Sequence, residues 1–384
     1  LVRSSSRSRS GRIEMREGAH SSGKMNRVSI PPSITQSRVP KKPWFRRKSR
    51  MIPLAILSVG VIGAIVWVST PWPAAMVIRA LFERDGAKTT AEMDTFAPAA
   101  SALQATLDVN YGDAGADTTF DLYSPAGTTE PLPTVVWIHG GAWISGSKAN
   151  VDPYVQILAS EGFTTVALNY SVAPEATYPV ALTQLNAALA HLVENADEYN
   201  IDPNQLILAG DSAGAQLASQ LATMASNPDY ATLVGLDPAV TADQLSGIVL
   251  NCGIYDVSGI PDAPGLGGWG FRIALWAYQG DKNWAETPGG EEMSTLDHVT
   301  ADFPKTWISG GNADPLTASQ SQPFAAKLTS LGVPVTTVFY PKDHEPALEH
   351  EYQFHLTLAD AQNALTSTVE FLRSVTTGFS PASG

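Results

Sequence analysis

The chain has 384 residues, 44% hydrophobic and 16% charged, which allows one large domain or two small ones. That apolar share excludes full-length disorder and collagen-like repeats, and a single cysteine, Cys252, excludes an internal disulfide framework or a Cys-clustered zinc site. The net charge of −13 is unevenly divided: residues 1–50 carry 14 Lys/Arg against Glu14 and Glu17, whereas residues 51–384 carry a balance of −25. A body so acidic disfavours nucleic acid, whose binding depends on neutralising phosphates.

Residues 1–50 are rich in Ser, Arg and Pro, lack apolar periodicity and read as a disordered basic tail. The first residue is Leu1, and Met15, Met25 and Met51 are each read as a candidate start. Met51 to Ile78 contains no charged residue. About 20 apolar residues are needed to cross ~30 Å of hydrocarbon as a helix. Lys41, Lys42, Arg46, Arg47, Lys48 and Arg50 precede this run, while only Arg79, Arg84 and Lys88 follow it closely. Positive charge stays in the cytoplasm, so the N-terminus is expected inside and the rest outside. Residues 51–73 are therefore expected to be an uncleaved, single-pass signal anchor in the cell membrane. Secretion after cleavage near Trp72 is the rival reading. Residues 74–100 are expected to form a stalk.

A compact domain is expected over 101–384. Leu107, Val109 and Tyr111 alternate with polar residues and precede Thr119–Tyr123, which predicts an antiparallel pair. Apolar runs then follow at 134–138, 163–168, 205–209, 247–250, 306–308 and 335–340. Between the second and third, Leu182, Leu185, Leu189, Leu192 and Val193 keep helical spacing. Strands alternating with helices predict a parallel sheet covered on both faces. The Gly-, Pro- and Trp-rich segment 256–300 is read as a lid over the sheet edge.

Three motifs fall at predicted strand ends. Gly210-Asp-Ser-Ala-Gly214 stands between the run 205–209 and a helical pattern over 213–224. In that setting a serine is thrust out at the carboxyl edge of the sheet, and the glycines make room for the turn. His139-Gly-Gly-Ala-Trp143 follows the strand 134–138, and its successive glycines leave backbone N–H groups able to approach a substrate oxygen. His139 itself is read as bracing that loop. A serine nucleophile needs a base and an orienting carboxylate; in a fold that exposes the serine on such a strand-to-helix turn, they follow in the chain order Ser, acid, His. Asp314 ends the strand 306–308 beside Gly310 and Gly311, with Asp343 the weaker rival; Asp297 and Asp302 fall before that strand. His344, His350 and His355 remain as candidate bases, without the His-Glu-x-x-His spacing of a zinc protease.

These motifs resemble the α/β-hydrolase superfamily, in its esterase/lipase group of hormone-sensitive-lipase-like and feruloyl-esterase-like enzymes. The similarity covers about residues 100–375 and includes Asn169-Tyr-Ser-Val-Ala-Pro-Glu175 and Asp314-Pro-Leu. It implies an α/β-hydrolase fold, a mostly parallel central sheet flanked by helices, here preceded by the single transmembrane helix. It implies Ser212 as nucleophile, Asp314 as acid, the amides of Gly140, Gly141 and Ala213 as oxyanion hole, and neither cofactor nor metal. Ala142 replaces the third glycine of the hormone-sensitive-lipase-like pattern and Ser171 an Arg, which favours the feruloyl-esterase-like side. The family's His-Gly-Phe is absent.

The base is therefore chosen between two residues. His344 lies four residues beyond Tyr340, as family spacing asks. His350 is followed by aromatics and stands 21 residues before Phe371, which also fits. His350 is preferred, because loop length varies more easily than the residues that pack beside a base; His355 is assigned to the start of the closing helix. The expected activity is hydrolysis of small carboxylic esters with short to medium acyl chains through an acyl-enzyme on Ser212. Amide or peptide cleavage by the same residues, and an inactive cell-surface binding domain, are the alternatives. Pocket walls are expected from Trp143, segment 256–300 and the surroundings of Tyr178.

Overall fold

The computed structural model describes residues 45–258, 260 and 266–376. By internal contacts the chain divides into two compact units, Leu1–Ser58 and Val59–Gly384. Residues 1–44, most of the expected basic tail, lie outside the described residues. The helix α1, Phe45–Ser69, begins inside that expected tail.

Eight strands form one sheet in the order β1-β2-β4-β3-β5-β6-β7-β8. They are β1 (Leu103–Asn110), β2 (Thr119–Pro125), β3 (Leu132–Ile138), β4 (Thr164–Leu168), β5 (Ile201–Asp211), β6 (Leu245–Asn251), β7 (Thr306–Gly310) and β8 (Val335–Phe339). β1, β2 and β4 pair antiparallel, and every other pairing is parallel. Val136 of β3 pairs with Val166 of β4 and Leu208 of β5, and Leu208 pairs with Ile248 of β6. These residues share one buried face, while Val135, Trp137, Ala167, Ile207, Val249 and Trp307 fill the other. Burial on both faces explains why the strands read as continuous apolar runs rather than alternating ones.

Helices α4 (Val180–Glu194) and α5 (Ala213–Ser226) cover the first face with Leu182, Leu185, Leu217 and Leu221. Helices α3 (Asp152–Ser160) and α8 (Ala359–Val375) cover the second. The described part of segment 256–300, the expected lid, is largely helical, with α6 (Leu266–Gln279) as its longest element. Tyr278 of α6 stacks on Trp143, with ring centroids 5.4 Å apart, and its carbonyl accepts the Tyr178 N–H. A further helix, α7 (Gln322–Ser330), precedes β8.

Two expectations for the segment before the sheet change. The span 51–73 is not one helix: α1 ends at Ser69, and α2 (Trp72–Met93) starts after Pro71. No single helix among the described residues is long and apolar enough to cross a membrane. Ala55–Ser69 and Trp72–Met93 meet that test only as a pair bent by 75°. Nor do residues 74–93 stand apart as a stalk. Helix α2 buries Ala74, Ala75, Ile78 and Met93. Arg79 ties it down, with Nε donating to the Ile144 carbonyl (2.6 Å), Nη2 to the Ala173 carbonyl (2.7 Å) and the guanidinium to Glu175. Glu92, at the far end, accepts from Thr357 Oγ1 (2.7 Å) and faces His355 Nδ1 (3.1 Å).

Hydrogen bonds from a charged donor to partly buried carbonyls contribute about 1.5–3 kcal/mol each, less where solvent screens them. Arg79→Ala is therefore expected to lower unfolding stability by about 2 kcal/mol in urea denaturation and to speed amide exchange along α2.

Candidate active site

The turn from β5 into α5 carries Ser212 at φ 49° and ψ −116°, a conformation that L residues rarely adopt. Close packing imposes it. A Cβ on Gly214 would lie 2.0 Å from the Ile138 carbonyl oxygen, and one on Gly210 would lie 2.5 Å from the Gly214 carbonyl carbon. The Ser212 N–H donates to the Asn251 carbonyl at the end of β6 (2.8 Å), fixing the turn to the sheet.

His350 Nε2 lies 2.9 Å from Ser212 Oγ, and His350 Nδ1 lies 2.9 Å from Asp314 Oδ2. Both bonds are satisfied when Nδ1–H donates to the carboxylate and Nε2 accepts the serine proton. The Asp314 side chain is wholly buried, and its Oδ1 accepts the Leu316 N–H (2.8 Å). Burial alone would lower the His350 pKa; the Asp314 carboxylate hydrogen-bonded to Nδ1 works the other way, and the net direction is upward from the ordinary imidazole value.

The preferred histidine is thus the one beside the serine. Its loop is pinned by Asn312, whose Oδ1 accepts the Leu348 N–H (2.8 Å) and whose Nδ2 donates to the His344 carbonyl (2.9 Å). The Ala313 N–H donates to the Leu348 carbonyl (3.0 Å), and Leu348 is fully buried. His344 turns away to Asp360 Oδ2 of α8 (3.1 Å) and packs on Tyr340. His355 does not start the closing helix, which begins at Ala359; it caps the turn Tyr352–Phe354 and faces Glu92.

The loop after β3 corrects one expectation. The Gly140 N–H is not available to a substrate, because it donates to Asp211 Oδ2 (2.8 Å). Asp211 Oδ1 accepts from Trp137 Nε1 (2.8 Å), so this buried carboxylate joins the serine turn to the preceding strand and loop. Burial, with the nearby Glu351 carboxylate, pushes the Asp211 pKa well up. The N–H groups of Gly141, Ala142 and Ala213 meet no acceptor among the described residues. Gly141, Ala142 and Trp143 all have positive φ, at 108°, 52° and 59°. Gly141 holds that bend by accepting from Ile144 N (3.1 Å) and Ser145 N (3.0 Å). His139 is buried, with its pKa pushed down to about 4 by burial, and stacks on Tyr170 at 4.2 Å, as a bracing residue should.

Ser212 and His350 open into a cavity of about 490 Å³, a size that suits a small organic ligand. Trp143 is fully buried and does not line this cavity; Phe271 of α6 does reach it. Phe82, Glu83 and Thr89 show that α2 builds a wall, which no local pattern in the sequence signalled. Ligand atoms of Cys252, Asp314 and His350 lie within 4.8 Å of one another. Both His350 nitrogens are already engaged, and burial pushes the Cys252 thiol up to about 11, so it stays protonated.

Asp211→Asn leaves one of two buried donors, Gly140 N–H or Trp137 Nε1–H, facing an amide N–H₂ group. Such a mismatch costs about 1–3 kcal/mol, and the expected loss is checked by urea denaturation against the parent protein.

The BD-FAE family model matches residues 120–328, more than half of the chain. Esterase LipQ of Mycobacterium tuberculosis is 27% identical over 258 residues, 66% of this chain and 58% of that protein. The acetyl esterase of Salmonella typhi is 35% identical over 123 residues, 32% of this chain and 36% of that one. The chain therefore spans less than two thirds of the length of these curated relatives. Among solved structures, an inhibited esterase B from Lactobacillus rhamnosis superposes with a TM-score of 0.68 at 21% identity, covering 79% of this chain and 96% of the other. At that identity the likeness is one of fold alone, a mostly parallel sheet with an antiparallel edge. With the family match over the segment that carries the serine turn, the chain belongs to the BD-FAE family, within the esterase/lipase group of the α/β-hydrolase superfamily.

Proposed function

We propose that the protein is a serine carboxylesterase that passes the acyl group of a small ester to Ser212 and then to water. The observation that carries this reading is the relay Ser212–His350–Asp314, two contacts of 2.9 Å at the floor of an open cavity. The named esterases among the relatives point the same way. As Ser212 Oγ attacks the ester carbon, its proton moves to His350 Nε2, and Asp314 stabilises the imidazolium. The carbon–oxygen bond to the alcohol breaks, and the alcohol leaves with that proton. Water then attacks the acyl-enzyme with His350 again as base, releasing the acid and restoring Ser212. The charge on the tetrahedral oxygen falls to the amides of Gly141, Ala142 and Ala213. A cavity of about 490 Å³ favours short to medium acyl chains.

We propose further that residues 51–73 anchor the chain in a membrane with the N-terminus cytoplasmic. The basic cluster before Met51 and the absence of charged residues from Met51 to Pro73 support this. So does the exposure of Ile56, Leu57, Val59, Ile62 and Ile65, each more than half accessible. Protease added to intact cells is expected to degrade the sheet domain; protection until lysis would refute the anchor's orientation.

Ser212→Ala is expected to abolish labelling by a fluorophosphonate probe and to leave only residual ester turnover. His350→Ala is expected to lower kcat/KM by about 10³-fold or more, and His344→Ala by less than about tenfold. Near-normal activity in His350→Ala would remove the relay from the mechanism. Since the base must be neutral and its pKa is raised, kcat/KM is expected to climb with pH through a midpoint above 6.5. A pH–rate profile on one soluble ester checks the sign.

A further inference from the structure

The cavity over Ser212 has an uneven charge. Glu83, Glu349 and Glu351 line it, and no Lys or Arg does. Asp85, also at the mouth, is neutralised by Lys88 at 2.6 Å. The three glutamates have no such partner among the described residues; the nearest base to any of them is His350, whose Nε2 is 3.8 Å from Glu351 Oε1. Glu351 directly follows His350 and has φ 60°, the left-handed region. The strained backbone places its carboxylate over the loop after β3, where a Cβ on Gly140 would lie 3.1 Å from Oε1. Phe82, Phe271 and Phe354 supply aromatic walls to the same cavity.

Carboxylates lining the cavity with no Lys or Arg among them make it negative, which favours a cationic ester over a neutral one. Aromatic faces attract the same cation. We propose that the cavity selects esters bearing an ammonium group, with Glu351 as the residue that determines this specificity. The inference rests on the esterase reading above and names its substrate class. Anionic esters are repelled by the same field, and so is the carboxylate product, which speeds its release.

The test uses acetylcholine and its uncharged isostere 3,3-dimethylbutyl acetate, which differ in one atom, with p-nitrophenyl acetate as reference ester. At low ionic strength kcat/KM is expected to favour the ammonium ester by about tenfold, and the ratio to shrink as salt screens the exposed carboxylates. Glu351→Gln is expected to bring the ratio close to one, and Glu351→Asp to preserve most of it. Equal turnover of the pair by the parent enzyme, a preference for the neutral ester, a ratio unmoved by salt, or a ratio unmoved by a folded Glu351→Gln overturns the proposal while leaving the esterase intact. The salt series needs no variant, so it decides even if Glu351→Gln fails to fold. Hydrolysis of none of the three esters overturns the esterase reading together with this one.

Discussion

The backbone of Ser212, held at φ 49° and ψ −116°, is the constraint on which the rest of the site depends. A non-glycine residue in such a region costs on the order of 1–3 kcal/mol and persists only where its surroundings over-determine it. Three features do so here. Gly210 and Gly214 let the turn, helix α5 and strand β3 approach closer than any Cβ permits. The Asn251 carbonyl holds the Ser212 amide, and Asp211 beside it takes donors from both Trp137 and Gly140. The loop after β3 is thereby built as a unit with the serine turn, and it stores its own strain at Ala142 and Trp143.

Buried charge follows the same logic. Asp211 and Asp314 are both nearly inaccessible, and each has both carboxylate oxygens occupied by donors. At Asp211 burial raises the pKa, and the donors from Trp137 and Gly140 work against it. His139 shows the opposite outcome: with no acid partner, burial keeps it neutral and leaves it a packing residue stacked on Tyr170. Two histidines of the same loop region thus have different roles because of what faces them. His350 faces a buried carboxylate and a serine, and His344 faces the half-buried Asp360 of α8.

Helix α2 links the segment before the sheet to the chemistry. Anchored through Arg79 at one end and Glu92 at the other, it presents Phe82 and Glu83 to the cavity. The clasp from Glu92 reaches His355 and Thr357, a few residues beyond His350, so the helix also braces the far side of the histidine loop.

Local pattern was enough to identify the eight strands and the turn that exposes Ser212, through apolar runs buried on both faces and glycines needed where two backbones meet; the order Ser212, Asp314, His350 came from the family resemblance instead. The choice of His350 over His344 was legible only as a preference, because it depends on Asn312 reaching across to Leu348 and His344. The amide donors could not be sorted by motif alone. Gly140 and Gly141 are identical side chains side by side, and what separates them is a carboxylate 71 residues away that takes the N–H of Gly140 and not of Gly141. The same holds for α2, whose weakly patterned sequence gave no sign that it closes the cavity. Contacts between residues distant in sequence leave no periodicity in it, so only the tertiary structure decided which groups the cavity presents to a substrate.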